Sequence, residues 1–326
     1  MGRCMPLTIE HRLREAGVER VMLPMGKANP DLQHVNAWRI GPSVLVDTGK
    51  DDAETRNAWQ HAGGLGGITD IVCTHGHPDH MGLAHHFEAA YGARIQATTL
   101  ELDAVRLGFN RAPDAKAGLR RKFLLDMGGL RSGASPTTPL GGSPTRPPVA
   151  PLTLEDGDRL AFEGGAWRVQ LGGGHSPRPA LFINDAHDLV ITGDQILPDT
   201  APYVGVSFGA PDADPMSDMI AFLNAWTHVN ADCIALPGHG APFTDPGRRA
   251  RAHLASYERR LARVWAAAER PLTCADLLPS LFRVSAGSPV LDIHYTMAAA
   301  LLNHLVAADK MQRWRDADGP LLYQQR

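Results

Sequence analysis

Apolar residues recur along this chain in two rhythms. Short runs at positions 35–40, 43–46 and 71–74 have the branched, closely spaced residues of strands, whereas 51–61 and 80–90 repeat their apolar positions as helices do. The second half repeats the alternation, with strand-like runs at 159–162, 167–171, 180–183 and 189–192, a helical segment at 215–228 and a further apolar run at 233–236. Strands and helices interleaved in this order predict two sheets covered by outer helices. From Asp245 onward the rhythm turns helical, at 248–270, at 274–282 with Thr273 placed to cap it, and at 292–305. The closing segment MQRWRDADGPLLYQQ reads as a hairpin turning at Asp318 and Gly319. Three helices and a hairpin are the elements of a winged-helix-like domain, so the expected organisation is a main domain over 1–245 and a helical one over 246–326.

One stretch fits neither rhythm. Residues 131–151, RSGASPTTPLGGSPTRPPVAP, follow a basic helical segment at 114–127 and are too rich in Pro, Gly, Ser and Thr to pack. They are expected to form a flexible insertion, either a plain solvated connection or a lid.

Composition narrows the class. Hydrophobic residues make up 44% of the 326, enough for a sizeable core, and 33 Gly with 25 Pro point to many turns rather than a helical bundle. With 32 basic against 35 acidic residues there is no excess of positive charge to mark a nucleic-acid partner. Cys4, Cys73, Cys233 and Cys274 form no Cys-x-x-Cys pair, and Cys73 and Cys233 sit in apolar runs as inert core thiols do, which suits a reducing, cytoplasmic setting. The first seventeen residues hold no apolar segment of signal or membrane length, so no membrane partner is expected. A homodimer stays open.

The histidines carry the chemistry. THGHPDHMG, from Thr74 to Gly82, follows an apolar strand, and in an extended segment His75 and His77 point the same way and can grip one ion. Asp79 and His80, past the turn at Pro78, can face a second. Downstream, GGGHSP brings His175, ITGDQ brings Asp194 and LPGHG brings His239, each just after a strand-like run. Imidazoles and carboxylates in this mixture suit zinc, iron or manganese. His85 and His86 fall on the following helix, where surface or packing roles are expected.

These pieces, in this order and spacing over about residues 35–240, resemble the five signature motifs of the metallo-β-lactamase superfamily. The resemblance implies an α/β (α+β) fold, a four-layer αβ/βα sandwich, with a C-terminal helical winged-helix-like domain. It also implies two divalent ions, zinc first among the candidates. His75, His77 and His175 would hold one, Asp79, His80 and His239 the other, and Asp194 would bridge them. Asp47, in VLVDTG, would sit behind the site and orient ligands. A hydroxide bridging the ions would then attack an electrophilic carbonyl or phosphorus, with Asp79 or Asp194 handling the proton. The family often has Gly where this chain has Arg178, which leaves Arg178 either an anion-binding side chain or a solvated one.

Within the superfamily the chain looks like the glyoxalase II-like hydrolases and a branch with a C-terminal winged-helix-like domain, through GDQILPDTAPYV at 193–204. That likeness implies a small-molecule thioester or carboxyl ester as substrate. A metal-dependent phosphodiesterase or ribonuclease, an iron-dependent oxidoreductase of the same fold, and a metal-retaining binding protein are the alternatives. Tyr203 and Phe208 are candidates to line a substrate pocket or to pack the loop. His294 and Tyr295 are candidates to reach the site or to pack at a helix start.

Overall fold

The computed structural model describes residues 8–25, 33–63, 66–129, 145–162, 164–283 and 290–326. Two six-stranded sheets stand face to face. The first runs in sequence order through β1 (Val18–Pro24), β2 (His34–Ile40), β3 (Val44–Val46), β4 (Asp70–Val72), β5 (Arg94–Ala97) and β6 (Leu152–Thr153). Its first three strands pair antiparallel and the rest parallel. The second holds β7 (Arg159–Phe162), β8 (Gly165–Leu171), β9 (Ala180–Asn184), β10 (Leu189–Gly193), β11 (Ile234–Pro237) and β12 (Phe243–Thr244). Here only β10 and β11 run parallel.

The central strands are continuous apolar runs because both of their faces are buried. Alternation sorts each run between two cores: in β2, Trp38 and Ile40 face the other sheet while Val35 and Ala37 face outward, and in β10 Leu189 and Ile191 face inward while Val190 faces outward. Trp38, Val46 and Val72 thus meet Trp167, Phe182, Ile191 and Leu236 between the sheets.

Helices cover both outer faces. On the first sheet lie α2 (Ala53–His61), α3 (Pro78–Met81), α4 (Ala84–Tyr91) and α5 (Thr99–Asn110), which contribute Trp59, Met81, Phe87 and Leu102. The short α1 (Ile9–Glu15) precedes β1 and packs Leu13 into the inter-sheet core. On the second sheet lie α6 (Pro113–Asp126) and α7 (Pro215–Trp226). The order helices, sheet, sheet, helices is the expected four-layer sandwich.

The single helix expected over 80–90 is in fact two. The break after Met81 follows from the tie between this segment and the loop after β3, where Thr48 N donates to His80 O at 2.7 Å and Leu83 N to Gly49 O at 3.1 Å. Those bonds draw the chain off the helical path just where His80 must face inward. The remaining boundaries shift by a few residues, as helix and strand ends do.

Three helices follow β12: α8 (Pro246–Ala267), α9 (Cys274–Leu281) and α10 (Leu291–Ala307), then the hairpin of β13 (Met311–Arg315) and β14 (Leu321–Gln325). Asp245 caps α8, accepting from Arg248 N at 2.8 Å, and Thr273 and Asp276 form a capping box on α9. Tyr257, Leu277, Tyr295 and Leu301 of these helices belong to the same apolar core as Phe123, Leu181, Val190 and Met219. Arg120 of α6 also makes a two-pronged ion pair with Asp292 at 2.5 and 2.8 Å. No helix among the described residues is long and apolar enough to cross a membrane.

Most of the expected insertion, 131–144, lies outside the described residues. Its end is tied down: Thr145 Oγ1 donates to Gly76 O at 3.2 Å, and the amides of Val149 and Ala150 donate to Glu88 at 2.6 and 2.8 Å. Cys73, Cys233 and Cys274 are buried free thiols, and burial raises the pKa of each.

One helix contact makes stability depend on pH. His253 of α8 is buried against Leu197 O at 3.0 Å, and burial together with Arg249 lowers its pKa from 6.5 to about 4. The unfolded chain therefore binds the extra proton first, and stability should fall as pH drops through the window from 6.5 to 4, by about 1–3 kcal/mol. Denaturant midpoints measured across that window should decline less steeply for His253→Gln than for the wild type. Equal slopes would contradict this account.

Candidate metal centre

Parallel pairing brings the site together. Because β3 runs parallel to β4, and β10 to β11, the loops that follow these strands emerge at the same edge of the sandwich. Asp47 follows β3, the His75–His80 loop follows β4, His175 follows β8, Asp194 follows β10 and His239 follows β11. The two sheets are joined directly there, with Ala180 N donating to Thr74 O at 2.7 Å.

Three imidazoles form the tightest group. His75 Nε2 lies 3.0 Å from His77 Nδ1, and His175 Nε2 lies 3.2 and 3.1 Å from those two atoms. That spacing is close to the roughly 3.3 Å edge of a tetrahedron with metal–nitrogen bonds of about 2.0–2.1 Å. Burial, with the neighbouring imidazoles, drives the pKa of His75 well down and that of His175 to about 4, so both rings are neutral and present lone pairs.

A second group is charged. His239 Nε2 lies 3.4 Å from both Asp79 Oδ2 and Asp194 Oδ2, and His80 Nε2 lies 3.5 Å from Asp194 Oδ1. Burial opposes charge on His80 and His239, but the carboxylates outweigh it: Asp194, Asp79 and Asp47 raise His80, and Asp194 and Asp79 lift His239 to about 10. Asp79 and Asp194 are held below the usual carboxylate range against burial, chiefly by those two histidines. His80 Nε2 and Asp194 Oδ1 are buried without a hydrogen-bond partner. Buried polar atoms left unpaired in a convergent cluster are what a cation site presents when its ion is left out of account.

The outward ring nitrogens are fixed. His75 Nδ1 faces Thr74 Oγ1 at 3.0 Å, His80 Nδ1 faces Asp47 Oδ2 at 2.8 Å, His175 Nδ1 faces Tyr203 O at 2.9 Å and His239 Nδ1 faces His34 O at 2.8 Å. Each bond takes the proton outward and leaves Nε2 aimed at the centre. Asp47 accepts from Thr74 N and Thr74 Oγ1, both at 2.7 Å, as well as from His80, and holds φ at 65°, a left-handed conformation that Asp tolerates. Gly238 is required: a Cβ there would collide with Asp194 Oδ1 and His80 Cε1.

The donor set thus fits two divalent ions, one within His75, His77 and His175, one within Asp79, His80 and His239, with Asp194 between them. A cavity of about 480 Å³ opens on His175, Asp194 and His239 and is walled by His34, Leu197, Ala201, Tyr203, Ile293 and Met297.

The other sequence candidates fall in different places. Tyr203 lines this cavity, its hydroxyl 2.9 Å from Thr296 Oγ1. Phe208 packs on Phe123 at 5.2 Å between ring centres. The Arg178 side chain is exposed, and only its backbone takes part, donating to Glu101 and accepting from Thr98. His294 stacks on Phe282 and Tyr295 is buried in the core, so α10 reaches the cavity through Ile293 and Met297 instead. His85 binds Asp51 at 2.8 Å and His86 lies against Phe87 and Tyr91, outside the centre.

Sequence reasoning missed Glu101, which bridges two ligand loops, and the clamp of Arg20 and Asn36. Asn36 donates to Pro237 O and Gly240 O at 2.8 and 2.9 Å, and Arg20 to Asn36 Oδ1 and Gly240 O at 2.8 Å. Asn36 alone carried a signal, as a polar residue in an apolar strand.

Fold and site define a four-layer αβ/βα sandwich with side-chain clusters able to hold metal. The metallo-beta-lactamase superfamily model matches residues 30–240, and the chain belongs to that superfamily. A metallo-beta-lactamase family protein from Thermus thermophilus is 26% identical, with a TM-score of 0.80 over 95% of this chain and 99% of that one. A beta-lactamase domain protein from Burkholderia ambifaria is 24% identical, with a TM-score of 0.79 over 95% and 93%. The similarity to these structures extends over the C-terminal helices as well. No curated protein matches significantly.

Filling the second group with a metal must displace the protons on His80 and His239. Zinc uptake near neutral pH should release about two protons per chain and strengthen as pH rises. Calorimetric titration in buffers of different ionisation enthalpy measures this; uptake with no proton release would refute the assignment.

Proposed function

We propose that the protein is a binuclear metal-dependent hydrolase of small thioesters or carboxyl esters. The observation that carries this is the cavity beside the donor cluster. Its wall is mainly apolar, from Leu197, Ala201, Tyr203, Ile293 and Met297, and no lysine or arginine is among the described residues lining it. An RNA backbone entering here would meet no lysine or arginine to replace its counterions along the wall beyond the donor cluster. An acyl chain would find an apolar wall ending at the metal ligands.

Two divalent ions, most simply zinc with iron or manganese as alternatives, would supply Lewis acidity and lower the pKa of a water molecule. The protein's own part is positioning and proton handling. Asp194, ionised and bordering the cavity, and Asp79, ionised and part-exposed, are the carboxylates placed to accept a proton from water. A thiolate leaving group needs little protonation, since thiols ionise near pH 8.5, far more easily than alcohols. That relaxes the demand for a strong general acid and favours thioesters over plain esters. Tyr203 and Met297 would hold the acyl group against the ligands, and α10 thereby gives the C-terminal segment, read as winged-helix-like, a role in the pocket.

Purified protein assayed against acyl thioesters, carboxyl esters, phosphodiesters and lactams tests this. Thioester turnover should be lost on chelation, restored by zinc or manganese, and reduced at least about 100-fold in His77→Ala. Faster phosphodiester turnover, or one iron with oxygen uptake, would overturn the proposal. Met297→Ala should raise KM for medium-length acyl thioesters roughly 10-fold while leaving metal content unchanged. An equal KM would show that the acyl group lies elsewhere.

A further inference from the structure

The first turn of α5 holds a carboxylate that no motif accounts for. Glu101 is 1% exposed, and its oxygens are shared between two ligand loops. Oε2 accepts from Gly76 N at 2.9 Å, on the residue between His75 and His77. Oε1 accepts from Ser176 Oγ at 2.6 Å and from Arg178 N at 2.7 Å, on the residues just after His175. The same helix start adds Thr98 Oγ1 donating to Arg178 O at 2.7 Å. Val105, one turn further on, closes against Gly76 so tightly that a Cβ there would lie 2.6 Å from its methyl.

We infer that Glu101 is the positioning residue of the three-histidine site: it belongs to none of the donor groups, and it helps set the spacing between the His75–His77 loop and the His175 loop. Burying a carboxylate is costly unless its lone pairs are filled, and here they are filled by two backbone amides and a hydroxyl that belong to the metal-binding loops. The two loops come from different sheets, the first after β4 and the second after β8. No shared strand ladder fixes their separation: the bond from Ala180 N to Thr74 O ties the loops at their base, and one carboxylate anchored on α5 spans them beside the ligands. The second group relies on other supports. His80 is held by Asp47 and His239 by His34 O, and neither bond involves α5. Loss of Glu101 should thus weaken one site and spare the other.

This inference rests on the metal-site reading above, and its test separates the two. Glu101→Gln keeps size and shape, but its NH2 must oppose either the Gly76 amide or the Ser176 and Arg178 donors. Wild-type and variant full-length chains are freed of metal, their melting temperatures compared, and each titrated with Co2+ alone. Crystallographic anomalous occupancy then locates the ions. The wild type should take up two ions. In Glu101→Gln the ion at His75, His77 and His175 should bind roughly 10–100-fold more weakly while the other is unchanged and the metal-free melting temperature stays close to wild type. Ser176→Ala, which keeps the charge and removes one donor, should weaken the same ion to a lesser degree and serves if the first variant does not fold. Unchanged affinity at both sites, or equal weakening of both with a lower metal-free melting temperature, would overturn the positioning role. A wild type that binds fewer than two ions would instead overturn the metal-site reading beneath it.

Discussion

Everything at the open edge of the sandwich depends on one constraint: imidazoles and carboxylates are packed together, away from water, at separations a shared cation would bridge. Three ring nitrogens stand 3.0–3.2 Å apart, two of them in rings that burial and neighbours keep neutral. His75 and His175 turn their ring protons outward, so their two facing Nε2 lone pairs gain nothing from each other. The arrangement persists because four of the rings are held from behind, by Thr74, Asp47, Tyr203 O and His34 O, and the His75–His77 loop is braced by Glu101. Much of the local sequence serves that restraint. Asp47 takes a left-handed backbone to reach Thr74 and His80 together, and position 238 excludes any side chain.

The restraint is shared among elements far apart in the chain. The His239 loop is clamped by Arg20 and Asn36 of the first sheet, and Asn36 N also donates to Gly238 O at 2.7 Å. The sheets are therefore locked at the site by polar bonds as well as by the apolar core behind it. A site distributed over both halves of a sandwich is complete only once both halves have folded, so its affinity for metal is coupled to folding.

How much of this the sequence could tell depends on whether a residue acts through its side-chain type or through its surroundings. The donor clusters were legible because His and Asp at strand ends, in a fixed local spacing, have few other reasons to recur. The layered fold was legible because a period of two and a period near three and a half are direct consequences of strand and helix geometry. On α10 the packing alternative holds for His294 and Tyr295: each residue turns the helix by about 100°, and the face toward the cavity belongs to Ile293 and Met297. Phe208 packs, partly buried, against the core, and Arg178 contributes its backbone alone. Glu101 sits in an ordinary amphipathic helix and gives no local sign that it is buried. Its partners lie 25, 75 and 77 positions away, and only the fold brings them together.

The cavity wall shows why the helices after Asp245 cannot be treated as an appendage to the metal centre. The loop after Asp194 runs out past Leu197 and Pro202 before turning to place Tyr203 O on His175. Its carbonyls are taken up by α8: Arg249 Nε and His253 Nε2 both reach Leu197 O, at 2.7 and 3.0 Å, and Tyr257 donates to Pro202 O at 2.7 Å. A buried carbonyl that loses its donor costs about 1–3 kcal/mol, so without α8 this loop would turn toward water rather than hold its path. His175 would then lose the acceptor that fixes its ring, and the cavity would lose the wall formed by Leu197, Ala201 and Tyr203. The sandwich supplies the ligands, and the helical segment supplies the donors that keep one ligand aimed and one side of the pocket closed.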